Sequence, residues 1–168
     1  MLKQKRVIRY LAYSLEIILL FVMQTTPNFF PEIFGSKPLL LIPAALTISF
    51  METEIPAMFF GLGCGAALDL GYSGNIGYYS LMLTIICFGV SLVFRDYMVV
   101  SLRNAAAFIA AVSTALIGIH FLLFYLIAGK GEAGYYFLNH YISRIIYTII
   151  TGIGLYFLNR ALYKGLRD

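Results

Sequence analysis

Six long apolar segments occupy almost the whole chain and constrain its fold more than any other feature. Of the 168 residues, 61% are hydrophobic and only 12% are charged, whereas soluble domains carry about 25% charged residues. A soluble fold of this length could not bury so many apolar side chains, so lipid must cover much of the surface. The sequence therefore predicts an integral membrane protein and disfavours soluble catalysis.

The segments predict an all-α fold: a single domain, residues 1–168, of six transmembrane helices. They lie at about 8–26, 38–51, 55–70, 76–94, 104–128 and 136–158. We expect helices because a chain in lipid must satisfy its own backbone hydrogen bonds, and because the apolar runs lack the alternation of a β-barrel. The second and third segments are separated only by residues 52–54, so they should form a tight helical hairpin.

The distribution of basic residues predicts the orientation of the chain. If the N-terminus is cytoplasmic, nine Lys and Arg residues fall on the cytoplasmic side and two, Lys37 and Lys130, fall outside. The nine are Lys3, Lys5, Arg6, Arg9, Arg95, Arg103, Arg160, Lys164 and Arg167. Because cytoplasmic loops carry an excess of positive charge, both termini are expected in the cytoplasm. These residues lie at segment ends rather than in one patch, which argues against nucleic-acid binding.

The strongest local pattern is a glycine-rich stretch in the third segment. Gly61, Gly65 and Asp69 are four residues apart, so they share one helix face. A Gly-x-x-x-Gly pair lets another backbone approach closely, and Gly77 follows shortly after. Two interpretations stay open: packing between helices of this chain, or contact with a partner's helix.

Three of the ionisable residues inside the predicted spans are candidates for a functional role. Glu16 is near the middle of the first segment, His120 is in the fifth, and Arg144 is in the sixth. Ionisable groups in a membrane are costly unless they are paired. The sequence therefore predicts that Arg144 pairs with Asp69 or Glu16, with a contact to a partner or an ion relay as alternatives.

Few residues in the sequence suggest a catalytic, metal-binding or redox function. Metalloprotease, serine-hydrolase and phosphate-loop motifs are missing, and there are only two histidines. Cys64 and Cys87 lie in apolar segments without the spacing of a metal or redox site. We therefore expect no catalytic residue, cofactor or metal. The loop at 26–37 is too apolar for a free linker and is expected to form a short helix on the membrane surface.

The glycine stretch resembles the MreD family of bacterial rod-shape-determining membrane proteins. The matching residues are Gly61, Gly65-Ala66, Leu68-Asp69-Leu70 and Gly77. Residues 37–41 resemble the family's basic-Pro-aliphatic start of the second helix, with Pro38 as the proline. These motifs cover about 37–77, while the six-span layout covers nearly the whole chain.

The resemblance implies a non-enzymatic scaffold of the rod complex, or elongasome, in the bacterial inner membrane. Its role would be cell-shape maintenance and lateral peptidoglycan synthesis. The implied partners are MreC through its membrane helix, the actin-like MreB, and RodA with its partner transpeptidase. Arg95 and Arg103 would face anionic lipid or MreB, or would only set the topology.

An alternative function comes from the same resemblance. The MreD family is similar to the substrate-binding subunits of energy-coupling-factor vitamin transporters, which share a six-helix fold. Such a subunit would need a polar pocket under the loop at 26–37 and a small-residue face on the first helix. The first segment instead carries Tyr10, Tyr13 and Glu16, which disfavours the transporter.

Overall fold

The computed structural model is all-helical and describes residues 2–26, 38–73, 77–123 and 142–165. These ranges contain six α-helices: α1 (Leu2–Thr25), α2 (Leu41–Ser49), α3 (Glu54–Leu68), α4 (Tyr78–Asp96), α5 (Leu102–Phe121) and α6 (Ile142–Gly165). A π-helical turn, Asp69–Ser73, continues α3. The all-α prediction is therefore confirmed for the described residues, and each helix falls on one predicted segment.

Four of these helices are long and apolar enough to cross a membrane. They are α1 from Gln4 onward, α4, α5 and α6. The two others, α2 and α3, are shorter, so the six crossings stay a prediction. The surface helix predicted at 26–37 lies outside the described residues but for Thr26, as do the last part of the fifth segment and the first part of the sixth.

The short helix α2 lies at the centre of the bundle. All nine of its residues are buried, and residues 38–40 and Phe50 beside it are buried too. It packs against α1, α3, α4, α5 and α6. Nine residues rise about 14 Å, less than half of the roughly 30 Å hydrocarbon core. This helix is therefore enclosed by protein, and its nine residues by themselves are too short to span the hydrocarbon core.

Contacts between helix ends show which termini share one end of the bundle. Arg9 of α1 pairs with Glu52 in the α2–α3 connection, and Arg95 at the end of α4 pairs with Glu54. Arg9 also lies over the ring of Tyr163 near the end of α6, 5.0 Å from its centroid. We call this end, marked by Arg9, Glu52, Arg95 and Tyr163, the basic end. The start of α1, the α2–α3 connection and the ends of α4 and α6 thus lie at one end of the bundle. The distribution of basic residues predicts the same grouping.

The glycine face of α3 is in close contact with α4. A methyl group at Gly65 would lie 2.5 Å from Ser80 Cα and from the Tyr79 carbonyl oxygen, and one at Gly61 would lie 2.8 Å from the Leu83 oxygen. The two backbones could not approach this closely past a larger side chain. The Gly-x-x-x-Gly pair is thus used inside the chain, which leaves no room there for a partner's helix.

We expect Gly65→Ala to destabilise the protein, because its methyl group would overlap the backbone of α4. Overpacking of this kind costs about 1–3 kcal/mol. The matched control is Gly63→Ala in the same helix, where a methyl group meets nothing within 4 Å. The control should be neutral or slightly stabilising, since Ala favours helices over Gly. Thermal unfolding in mild detergent measures both, and equal melting temperatures would contradict the packing.

Candidate functional site

Polar side chains of α1, α4 and α6 bond to groups beside the two ends of α2. The first amides of a helix have no partner within that helix, and α2 is shielded from water that could bond to them. The Leu39 amide donates to Thr148 Oγ1 at 3.2 Å, and the Leu40 amide donates to Gln24 Oε1 at 3.0 Å. Pro43 occupies the first turn, where its missing N–H is no loss. Side chains of α1 and α6 thus cap α2.

The other end of α2 is held by α4 and α1. The Ser91 hydroxyl of α4 donates to the backbone oxygen of Glu52 at 2.7 Å. Arg9 of α1 donates from Nη2 to Glu52 Oε2 at 3.2 Å, and its Nε lies 2.5 Å from Oε1. Both side chains are almost completely buried. A buried pair of this kind fixes geometry, and loss of one partner leaves an uncompensated charge.

The two acidic residues at the α2–α3 connection, Glu52 and Glu54, have pKa values that are shifted in opposite directions. Burial raises the pKa of Glu52 above its ordinary value, and the guanidinium of Arg9 opposes this shift. Backbone hydrogen bonding at the start of α3 lowers the pKa of Glu54, and Arg95 lowers it further. The Arg95 Nη1 donates to Glu54 Oε1 at 2.6 Å. This second contact is therefore present at neutral pH and is lost on acidification.

A three-residue network crosses the middle of the bundle. The Asn159 side chain of α6 donates from Nδ2 to Glu16 Oε1 of α1 at 3.0 Å and to Thr47 Oγ1 of α2 at 2.9 Å. Thr47 and Asn159 are fully buried, and Glu16 is nearly so. The network joins three helices through atoms distant in sequence.

Asp69 caps the start of α4. Its carboxylate accepts hydrogen bonds from the amides of Gly77, Tyr79 and Ser80, each at 3.0 Å, and from the Ser80 hydroxyl. A carboxylate also interacts favourably with the positive end of the helix dipole. Gly77 has a φ of +105°, a conformation that glycine adopts without strain. Asp69 and Gly77 of the glycine motif therefore act together to fix the start of α4.

The predicted ion pair of Arg144 with Asp69 or Glu16 is wrong. Within the described ranges, Asp69 bonds to the start of α4 and Glu16 bonds to Asn159, and neither forms a salt bridge with Arg144. Arg144 lies one turn before Thr148 in α6, and the Thr148 hydroxyl donates to the Arg144 carbonyl oxygen at 2.7 Å. The reason is geometric: Glu16 lies at the level of Asn159, fifteen residues and about 22 Å further along α6 than Arg144, and both oxygens of Asp69 accept hydrogen bonds from the start of α4.

The remaining candidate residues lie at distinct places. His120 stacks on the ring of Tyr79 at 5.6 Å and meets Tyr78 edge-on at 5.5 Å. Pro38 is buried just before α2, and Arg103 is exposed at the start of α5. These residues are not brought together with Glu16 into one cluster. No group of three His, Cys, Asp or Glu side chains that could hold a metal occurs in the described part of the chain.

The sequence did not point to the residues that hold α2. They are Arg9, Gln24, Ser91, Thr148 and Asn159, the last of which bonds to Thr47 of α2. The available signal was weak: each is a polar residue within or at the edge of an apolar segment. Such residues favour positions that face protein rather than lipid.

We expect Gln24→Leu to destabilise the protein, because the Leu40 amide loses its acceptor in a site without water. An unsatisfied buried donor costs about 1–3 kcal/mol. The matched control is Gln4→Leu in the same helix, where the side chain is exposed. Unfolding in detergent, followed by the loss of monodisperse protein on heating, should separate the two variants. If both melt like the wild type, the cap is unimportant.

A comparison with known families gives the same assignment as the motif. The family model described as rod shape-determining protein MreD matches residues 4–166. No curated protein and no solved structure matches the chain. The match covers nearly all of the described helices, including α2 and the residues that hold it. The chain therefore belongs to the MreD family of rod shape-determining proteins.

Proposed function

We propose that this rod shape-determining membrane protein acts as a non-enzymatic scaffold of the elongasome. In this proposal it binds the membrane helix of MreC, and it contacts MreB, RodA and the partner transpeptidase directly or through MreC. The family match over residues 4–166 carries the role in shape determination. The assembly with these partners is the proposed part.

The use of the buried polar residues supports a scaffold. Glu16, Glu52 and Asp69 each bond to another helix or connection of the same chain. These contacts fix the positions of α1, α3, α4 and α6 around α2. Such a bundle presents a fixed outer surface, which is what a scaffold needs to hold several partners in register.

The outer surface is largely apolar and suits contacts within the membrane. Exposed large hydrophobic residues occur along α1, α4 and α6, for example Leu15, Ile85 and Ile150. Lipid covers such faces by default, and partner helices pack on them through van der Waals contacts. The proposed binding of MreC uses one of these faces.

The basic end fits the cytoplasmic side in the proposed topology, with both termini in the cytoplasm. A depression of about 280 Å³ there is lined by apolar residues of the α2–α3 and α4–α5 connections and by Arg160, Tyr163 and Lys164. Juxtamembrane basic residues attract anionic lipid headgroups. Together with Arg95 and Arg103, they provide the proposed contact with the inner leaflet or with MreB.

A pull-down of the tagged full-length protein in mild detergent tests the scaffold. Mass spectrometry of the bound proteins should identify MreC together with RodA and its transpeptidase. Depletion of the protein should round rod-shaped cells, since lateral wall synthesis would lose its membrane support. An unrelated polytopic protein with the same tag controls for carry-over.

The same experiment separates the proposal from the alternative that the resemblance raised. Recovery of a vitamin-like small molecule with a coupling ATPase, and without MreC, would contradict the scaffold. Mass spectrometry of small molecules from the same eluate provides that readout.

A further inference from the structure

One depression at the basic end combines an apolar floor with a cationic rim. Its volume is about 280 Å³, and we call it the basic-end depression. It is lined by Phe50, Met51, Val100, Arg160, Tyr163 and Lys164. The three apolar residues come from the α2–α3 and α4–α5 connections, and the other three come from the last turns of α6. An occupant therefore meets apolar side chains and cations at the same time.

The two cations of the depression have no acidic partner among the described residues. Arg160 donates from Nη1 to the neutral hydroxyl of Tyr156 at 3.3 Å, and its guanidinium carbon lies 5.7 Å from the centroid of the same ring. Lys164 is exposed. The two acidic residues at the α2–α3 connection are each already paired with another arginine. The depression thus keeps an uncompensated positive charge, which favours an anionic occupant.

The surroundings of the depression fit the level of lipid headgroups. Arg160 and Lys164 lie in the last two turns of α6, which is long and apolar enough to cross a membrane. Beside Val100, the side chains of Tyr97 and Val99 are 86% and 81% exposed. Exposed apolar groups of this kind mark contacts with a membrane or a partner, and tyrosine is enriched at membrane–water interfaces. The rim therefore suits the lipid interface better than water.

We infer that the basic-end depression binds the headgroup of an anionic phospholipid. The lipid phosphate bonds to the guanidinium of Arg160 and the ammonium of Lys164, and the first carbons of the acyl chains cover Met51 and Val100. Basic pockets between helices on the cytoplasmic side of membrane proteins recognise anionic headgroups in this way. The volume lies near the lower end of ligand pockets, at about 300 Å³, so it suits a headgroup rather than a whole lipid.

Three other occupants fit the depression less well. Free phosphate meets the same cations but gains nothing from the apolar floor of Met51 and Val100. An acidic segment of a soluble partner satisfies the cations but leaves the exposed side chains of Tyr97 and Val99 in water. A second copy of the chain, turned end to end, brings like charges together.

The inference deepens the proposed function, which assigns the basic residues of this end to the inner leaflet or to MreB. It rests on the proposed topology, because the cytoplasmic leaflet is the anionic one. It commits Arg160 and Lys164 to lipid, and it makes one bound headgroup part of the end of the bundle at which α6 meets the α2–α3 and α4–α5 connections.

Native mass spectrometry of the full-length protein in a mild non-ionic detergent tests the site. The probes are phosphatidylglycerol, which is anionic, and phosphatidylcholine with the same acyl chains, which is zwitterionic. Phosphatidylglycerol should be retained at least about tenfold more, corresponding to about 1.4 kcal/mol. Equal retention of the two lipids would overturn the inference. So would displacement of phosphatidylglycerol by inorganic phosphate alone, which would show a simple phosphate site.

A matched pair of variants separates a defined site from diffuse attraction. Lys164 and Lys5 are both exposed lysines near the basic end, but Lys5 does not line the depression. Lys164→Gln should lower the retained phosphatidylglycerol by about fivefold, or about 1 kcal/mol for one cation, and Lys5→Gln should leave it unchanged. Arg160→Gln should reproduce the loss. If Lys164→Gln retains as much lipid as Lys5→Gln, the inference is wrong.

The pull-down keeps the lipid site apart from the proposed function. Lys164→Gln should recover the same partner proteins as the wild type. Loss of MreB from this variant, with unchanged binding of phosphatidylglycerol, would assign the depression to a protein and overturn the lipid. The mass spectrometry uses no partner protein, so failure to retain the lipid contradicts this inference alone. Failure of the wild type to recover MreC contradicts the scaffold alone.

Discussion

The structure depends on one constraint: the helix at its centre is enclosed by protein, and the backbone groups at its ends have no partners within the helix. Nine residues of α2 leave free amides at one end and free carbonyls at the other, in surroundings that supply little water. The bundle therefore has to provide the missing partners. Gln24 and Thr148 bond to the amides that precede α2, and Ser91 bonds to the carbonyl oxygen that follows it. These contacts fix α1, α4 and α6 in position.

This arrangement gives a small helical protein a fixed outer surface, which the proposed scaffold role requires. Apolar packing alone is a weak source of specificity in lipid, because lipid tails are as apolar as leucine. Hydrogen bonds from three helices to one central helix select a single arrangement, and the Arg9–Glu52 pair adds a charged contact at the basic end. In the interior, Asn159 of α6 joins Glu16 of α1 to Thr47 of α2 through two further hydrogen bonds.

The sequence predicted the features that depend on local patterns. Hydropathy located the helices, and the spacing of Gly61 and Gly65 indicated close packing. It did not predict which groups would meet. Arg144 signalled the need for a partner, but the carboxylates of Asp69 and Glu16 were taken by backbone amides and by Asn159. Asn159 itself lies one residue beyond the predicted sixth segment, where a polar residue usually marks a helix end. Contacts between residues about 110 to 140 positions apart carry no local signal.

The enclosure of α2 is the central claim, and footprinting of the wild-type protein in lipid nanodiscs tests it most directly. A hydrophobic diazirine reagent dissolved in the lipid labels side chains that face acyl chains, and mass spectrometry locates the labels. Residues 41–49 should remain unlabelled, while the exposed positions of α4, such as Leu81 and Ile85, should be labelled strongly. Labelling of one face of residues 41–49 to the extent seen in α4 would show that α2 faces lipid, and would contradict the account.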